Sequence, residues 1–450
     1  MELGDLLAPG VRSILIKGPP GAGKTTTSLE LLKLAGGGAY VSTRVPEKRL
    51  SEQYPWLKEL GERGRLLEVS PGDVRAKVED LRLGVAADVV KQVLDAVHIR
   101  KVRMVILDSW DAIAKETDPK ERLKAEKTMV AAADASESRI TFVSEEPSLT
   151  TTDFLCDAIV NLWNRELEGR RIREAEWVKL RGKAIPWKSS LFTLVDGRFH
   201  LIPTLKVEAI REPKRFEPIP HTENHYSTGS PDLDRFLGGG LRKGSFILLE
   251  ASKTVGPDWH LPLVSSIQCN FLMNGGCFFA LPTVGVTPQM IIDMTRPHVE
   301  EGMIEASVRI ATHSEPIAHS SVISLRDKSP DEAIEAYWRA VDQIKGDAKR
   351  PCFAFIGMDV VELMRGPSHA VKIIPSVMAR MITPGDVTLH MVKPGSTITQ
   401  VLSDACDLHL KLEEVDGCVL LYGKRPPTIL YAMTYDFSKG YPQVLLTPIM

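Results

Sequence analysis

Gly18-Pro19-Pro20-Gly21-Ala22-Gly23-Lys24-Thr25 fits the phosphate-loop pattern G-x-x-x-x-G-K-[ST]. An apolar run, Ser13-Ile14-Leu15-Ile16, precedes it, and a helix-like run from Thr26 to Leu34 follows. The pattern carries meaning only in such a strand–loop–helix setting. Glycines let several backbone N–H groups converge on phosphate oxygens. The helix start adds partial positive charge at the same spot. Lys24 is expected to reach the β- and γ-phosphates, and the Thr25 hydroxyl to sit on Mg²⁺. Gly18, Pro19, Pro20, Gly21, Ala22, Gly23, Lys24, Thr25 and Thr26 are therefore the candidate nucleotide-binding residues. No N-K-x-D element for guanine recognition and no L-S-G-G-Q transporter signature occur, which favours ATP and a different class of P-loop protein.

The strand needed to complete such a site is Met104-Val105-Ile106-Leu107-Asp108, within the apolar run that starts at Val102. It ends in a carboxylate and follows the loop by roughly 80 residues. Asp108 is expected to share the Mg²⁺ shell with Thr25. Further runs, Ala39–Ser42, Leu66–Val69, Ile140–Val143 and Ala158–Leu162, read as strands. Helix-like segments such as Ala86–His98 and Glu121–Ala133 lie between several of them. That alternation predicts a mostly parallel sheet flanked by helices. Trp177–Leu180 and Leu191–Val195 suggest an antiparallel extension.

Length and composition bound the rest. A chain of 450 residues implies two or three domains. With 56 basic and 58 acidic residues the net charge is −2, so no whole-chain field draws nucleic acid or a membrane. No apolar run reaches membrane-spanning length. The start, Met1-Glu2-Leu3-Gly4-Asp5, lacks a basic leader, so a cytoplasmic location is expected. Six cysteines without C-x-x-C spacing read as buried small hydrophobes. His221 and His225 read as linker residues rather than a metal pair. Arg165, Arg170, Arg171 and Arg173 are interrupted by glutamates, which reads as a solvated hairpin tip rather than a nucleic-acid contact. Prolines 203, 213, 218 and 220 mark a linker. The expected division is 1–204, a linker over 205–226, and 227–450.

The second half opens with Ser227-Thr228-Gly229-Ser230-Pro231-Asp232-Leu233-Asp234-Arg235-Phe236-Leu237-Gly238-Gly239-Gly240. Strands Phe246–Glu250, Cys277–Leu281 and Phe353–Ile356 follow. This segment resembles the entry to the RecA-like ATPase domain of the KaiC family. The resemblance implies an α/β fold of two tandem RecA-like P-loop domains, each a mostly parallel sheet flanked by helices with an antiparallel extension. The two copies differ chemically. Where the second phosphate loop should lie, the chain reads Ala251-Ser252-Lys253-Thr254-Val255-Gly256-Pro257-Asp258. The lysine is replaced by Pro257, which lacks an N–H donor, and the hydroxyl residue by Asp258. The matching strand ends Ile356-Gly357-Met358-Asp359, with the carboxylate missing or displaced by two residues. A pseudo-ATPase domain is expected.

Lys179-Leu180-Arg181-Gly182 resembles the K-x-R-G motif of KaiC-like proteins. The resemblance implies that Lys179 and Arg181 project across a subunit boundary toward a neighbour's γ-phosphate, as catalytic cations. A solvated basic turn is the alternative. Family members also carry paired glutamates after the second strand. Here Tyr40-Val41-Ser42-Thr43-Arg44-Val45-Pro46-Glu47 puts Arg44 and Val45 at those positions. Glu47 is the candidate base, with Glu145-Glu146 as another source. The S-T-R-V stretch and Tyr54-Pro55-Trp56 also resemble the archaeal gas-vesicle regulator GvpD family. In that family the ATPase-like protein restrains gas-vesicle synthesis through contact with a transcriptional activator.

The expected function is an ATP- and Mg²⁺-dependent regulatory ATPase that hydrolyses slowly and switches oligomer or partner binding. Its expected partners are further copies of itself, in a ring or filament, and a transcriptional regulator or other protein. Two alternatives stay open: a non-hydrolysing scaffold that holds ATP, and a recombinase-like DNA-binding ATPase.

Overall fold

The computed structural model describes the chain apart from residues 44, 46, 59–65, 70–84, 116, 205–209, 316 and 383–384. Side chains at 47, 48, 66–69, 85 and 382 are also outside the described set. The chain forms two compact units, Met1–Ile202 with Ile449–Met450, and Pro203–Pro448.

The first unit contains strands β1 (Ser13–Lys17), β2 (Gly38–Ser42), β3 (Leu66–Val69), β4 (Met104–Asp108), β5 (Arg139–Ser144), β6 (Ala158–Leu167), β7 (Arg170–Leu180), β8 (Ser189–Thr193) and β9 (His200–Leu201). They form one sheet in the order β3-β2-β4-β5-β1-β6-β7-β8-β9. The six strands from β3 to β6 run parallel, and β7 to β9 extend the sheet antiparallel. Parallel strands covered on both faces carry near-continuous apolar runs, as Ile14–Ile16 of β1 and Met104–Leu107 of β4 do. Side chains alternate across the sheet. Ile14 and Ile16 meet Leu29 and Leu32 of the helix Lys24–Leu34 (α1), while Leu15, Val105 and Leu107 meet Met129 on the other face.

The carboxylate of Glu126, fully buried on the helix Pro119–Ala135, ties the second face together. It accepts from Trp110 Nε1 at 2.7 Å, Arg122 Nε at 2.8 Å and Thr152 Oγ1 at 2.9 Å. A buried charge needs this degree of satisfaction.

The second unit repeats the plan. Its strands are β10 (His225–Tyr226), β11 (Leu241–Arg242), β12 (Phe246–Ala251), β13 (Cys277–Leu281), β14 (Val308–Thr312), β15 (Val322–Ser324), β16 (Cys352–Gly357), β17 (Val387–Val392), β18 (Leu408–Val415), β19 (Cys418–Arg425), β20 (Tyr431–Asp436) and β21 (Gln443–Pro448). The large sheet runs β15-β14-β13-β16-β17-β12-β18-β19-β20-β21. With β15 set aside, this order superposes term by term on the first unit: β12 takes the place of β1, β16 that of β4, and β18 to β21 that of β6 to β9. The fold is therefore two tandem RecA-like P-loop folds, mostly parallel, each with an antiparallel extension.

Three details differ from the sequence reading. The strand carrying Asp108 starts at Met104 rather than Val102. The Trp177–Leu180 run is only the end of β7, which begins at Arg170 directly after a turn at Glu168-Gly169. Inside the proline-rich stretch, Phe216 is buried and stacks on Tyr441, with ring centroids 4.6 Å apart, and His221 Nδ1 accepts from Ser227 N. The S-T-G segment is held by the Asp234 carboxylate, which accepts from Thr228 N at 2.7 Å and Thr228 Oγ1 at 2.6 Å. All six cysteines are buried free thiols. No helix among the described residues is long and apolar enough to cross a membrane.

The closest packing in the first sheet falls on Gly38. A Cβ there would lie 2.1 Å from Met104 O and 3.0 Å from Leu32 Cδ1. Neither the β4 backbone nor α1 can yield cheaply. Gly38→Ala is expected to cost the first unit about 2 kcal/mol, read as an earlier first transition in urea. An unchanged transition would show that β2 and β4 are not packed this closely.

Candidate functional site

The site is assembled where β1, β4 and β5 end. β1 delivers Gly18, and the chain turns through Pro19, Pro20, Gly21 and Ala22 into α1. Gly23 caps α1 in a left-handed conformation, φ +98°, and a Cβ on it would meet Leu194 Cδ1 at 2.8 Å. Glycine is needed here on both counts. α1 then starts with Lys24 and Thr25, so both project from its first turn. Lys24 Nζ donates to Gly18 O at 2.8 Å and Pro19 O at 2.9 Å, and Glu145 Oε1 lies 3.8 Å away. Thr26 turns aside to meet Tyr54 OH at 2.9 Å.

Asp108 ends β4, level with Ser42 of β2 and Val143 of β5. Its Oδ2 accepts from Thr25 Oγ1 at 2.6 Å and from Tyr40 OH at 2.6 Å. Burial first, then the Asp108 charge, pushes the Tyr40 hydroxyl well above its usual pKa, so it stays a donor. A threonine hydroxyl beside a carboxylate at a phosphate loop is a hard oxygen set that suits Mg²⁺. The donor chemistry and the glycine-lined turn fit Mg²⁺–nucleotide.

Two further carboxylates order the rim. Asp111 Oδ1 accepts from Ser144 Oγ at 2.9 Å, and its other oxygen accepts from Glu145 N. Lys17, buried at the end of β1, donates to Ser148 O at 2.8 Å and pairs with Asp153 at 3.0 Å.

Several side chains fall outside this cluster. Lys179 pairs in register with Ile159, itself level with Leu15, and its Nζ reaches Asp153 O at 3.3 Å. Arg181 is farther back, beside Asp157 at the start of β1, with Nη1 to Oδ1 at 2.8 Å. Neither is brought to the phosphate loop of its own chain. The Glu47 side chain lies outside the described residues.

Sequence reasoning missed Tyr40 and Arg173. Arg173 was placed on a solvated tip, but it is only 6% exposed. Its Nη1 donates to Gly21 O at 2.9 Å and to Asn164 Oδ1 at 3.0 Å, bracing the loop from β7. Arg165 pairs with Glu174 at 2.8 Å. Tyr54 and Trp56 pack near α1, with Trp56 Nε1 on Gly197 O at 3.2 Å and Arg198 over its ring at 4.6 Å.

The corresponding place in the second unit is built differently. Gly256 precedes the helix Pro257–Met273 with φ −80°, not left-handed, and Pro257 occupies the first helical turn. Asp359 accepts from Thr283 Oγ1 and, at 3.1 Å, from Val284 N, both after β13. Among the described residues no cluster of three or more His, Cys, Asp or Glu could hold a metal ion.

The Tyr40 hydrogen bond can be removed with little change of shape. Tyr40→Phe is expected to cost the first unit about 2 kcal/mol in urea unfolding, as for a buried bond to a charged acceptor. No loss would mean that Asp108 does not depend on Tyr40.

Residues 8–177 match the family model described as GvpD gas vesicle protein, P-loop domain. Protein GvpD2 of Halobacterium salinarum is 25% identical, over 98% of this chain and 94% of that relative. Protein GvpD1 of the same organism is 23% identical, over 97% of this chain and 94% of that relative. The circadian clock oscillator protein KaiC of Prochlorococcus marinus is 26% identical, over 55% of this chain and 52% of that relative. Alongside the loop, the ordered Asp108 and the repeated sheet, these matches make the chain similar to GvpD and KaiC, with a GvpD-type P-loop domain over residues 8–177.

Proposed function

We propose that this protein binds ATP with Mg²⁺ in its first domain, residues 1–204, hydrolyses it slowly, and switches self-assembly or partner binding with nucleotide state. The observation that carries the reading is the 2.6 Å bond between Thr25 and Asp108 beside the Lys24 loop. In this reading, the N–H groups of Gly21 and of Gly23 to Thr26 and the Lys24 ammonium hold the phosphates. Thr25 and Asp108 hold Mg²⁺, which when bound offsets charge on the phosphates. Arg173 keeps the loop in its binding shape through Gly21 O, which lowers the ordering cost of binding.

Residues 205–226 then join this domain to a pseudo-ATPase domain, 227–450, whose role is structural or partner-binding. Glu47 is the proposed base for water attack. Lys179 and Arg181 are proposed to act on the nucleotide of a neighbouring copy. Their distance along β7 from their own loop supports action in trans, and Phe154 and Val178 beside Lys179 are exposed apolar groups that a neighbour would cover. Contacts of this kind are heterologous and give rings or filaments. A transcriptional regulator is a proposed partner, in a cytoplasmic setting.

A second reading is a non-hydrolysing scaffold that retains ATP. Arg44 and Val45, in place of a glutamate pair, favour it. The DNA-binding reading has little to stand on, because Arg165 and Arg173 are engaged within the unit.

Size-exclusion light scattering with ATP, ADP and no nucleotide, with phosphate release followed in the same samples, tests the proposal. Assembly should depend on ATP, and Lys24→Ala should lose it together with turnover. Mixing Lys24→Ala with Arg181→Ala should restore part of the turnover, because each supplies what the other lacks. Unchanged size with intact, retained ATP would instead establish the scaffold. DNA-stimulated turnover would revive the recombinase reading.

A further inference from the structure

The second unit contains a partly open cleft that the nucleotide reading does not use. It lies between one face of the sheet, at β13, β14, β16 and β17, and the helices Pro330–Lys345, Met358–Arg365 and Pro367–Val377. Its body is apolar, formed by Phe279, Leu281, Ile356, Val361 and Ile373. An apolar lining with a few polar groups suits a small organic molecule.

Two polar side chains within it carry buried nitrogens without a partner among the described residues. His390, on the central strand β17, lines the cleft and is 1% exposed. Neither of its ring nitrogens has a hydrogen-bond partner among the described residues, although Phe246 covers one ring face at 4.3 Å. Burial pushes its pKa down to about 3, so the ring is neutral and offers one donor and one acceptor. An unsatisfied buried polar side chain is costly, and an occupant could relieve that cost. Arg365 also lines the cleft. Its Nε is buried without a partner among the described residues, and its Nη2 makes only a long bond, to Leu325 O at 3.4 Å. His313 and His369 flank it in the lining, and burial first, then the Arg365 charge, lowers the His313 pKa.

We propose that this cleft binds a small organic acid: an apolar body against Phe279 and Ile356, a carboxylate on Arg365, and a hydroxyl or carbonyl on His390. The domain that lacks a phosphate loop would then be a ligand sensor. This inference is independent of nucleotide binding in the first domain.

Para-hydroxyphenylpropanoate is the probe, titrated calorimetrically into the full chain. Phenylpropanoate lacks the hydroxyl and para-ethylphenol lacks the carboxylate, so each tests one end. The hydroxy acid should bind once per chain, with each control weaker by about tenfold, the scale of one buried polar contact. Arg365→Ala, whose change lies at the half-exposed edge, should weaken the hydroxy acid by a similar factor. Ala333→Trp should fill the cleft and abolish binding, with its melting temperature compared to confirm folding. No binding of the hydroxy acid, equal affinity for either control, or binding that survives Arg365→Ala unchanged would overturn the proposal.

Discussion

One carboxylate organises the first unit. Asp108 accepts from Thr25 on the helix that follows the phosphate loop and from Tyr40 on the neighbouring strand. These two bonds join β4, β2 and α1 at the carboxyl ends of the parallel strands. Open α/β sheets place ligands at that end, where loops converge and strand order reverses. Here the reversal falls around β1, with β5 on one side and β6 on the other. The loop is thus fixed from three directions: Asp108 at Thr25, the left-handed Gly23 under Leu194, and Arg173 at Gly21 O.

The second unit keeps the scaffold and gives up that knot. Its strand order repeats the first, and its cores are as fully closed. Yet the residue that ends β16 is Gly357, and the nearest carboxylate, Asp359, turns to the Thr283-Val284 segment. Asp359 is thus tied to the segment after β13 and not to a hydroxyl on the helix Pro257–Met273. The same sheet order is therefore built around two different strand ends, Asp108 in the first unit and Gly357 in the second.

Much of this was legible in the sequence. A phosphate loop is local, so eight adjacent residues specify it, and an apolar run ending in Asp108 marks a buried strand reaching the site. The departure at the second loop position was equally plain, because Pro257 and Asp258 stand where a phosphate loop has lysine and a hydroxyl residue. The parts that escaped are those set by tertiary position. Tyr40 reads as one more strand residue, since alternation says which face it takes and not that its hydroxyl meets Asp108. Arg173 sits among charges that look solvated, and only the ten-residue β6 and eleven-residue β7 ladder shows that it faces the loop. Phe216, in a proline-rich stretch, carries no pattern to announce that it is buried.

The central claim is that one of the two repeated units holds nucleotide and the other does not. Equilibrium binding of labelled ATP to the full chain, with and without Mg²⁺, tests it most directly. The account predicts one ATP per chain, dependent on Mg²⁺ and lost in Lys24→Ala. Two ATP per chain, or one that persists in Lys24→Ala, would contradict it.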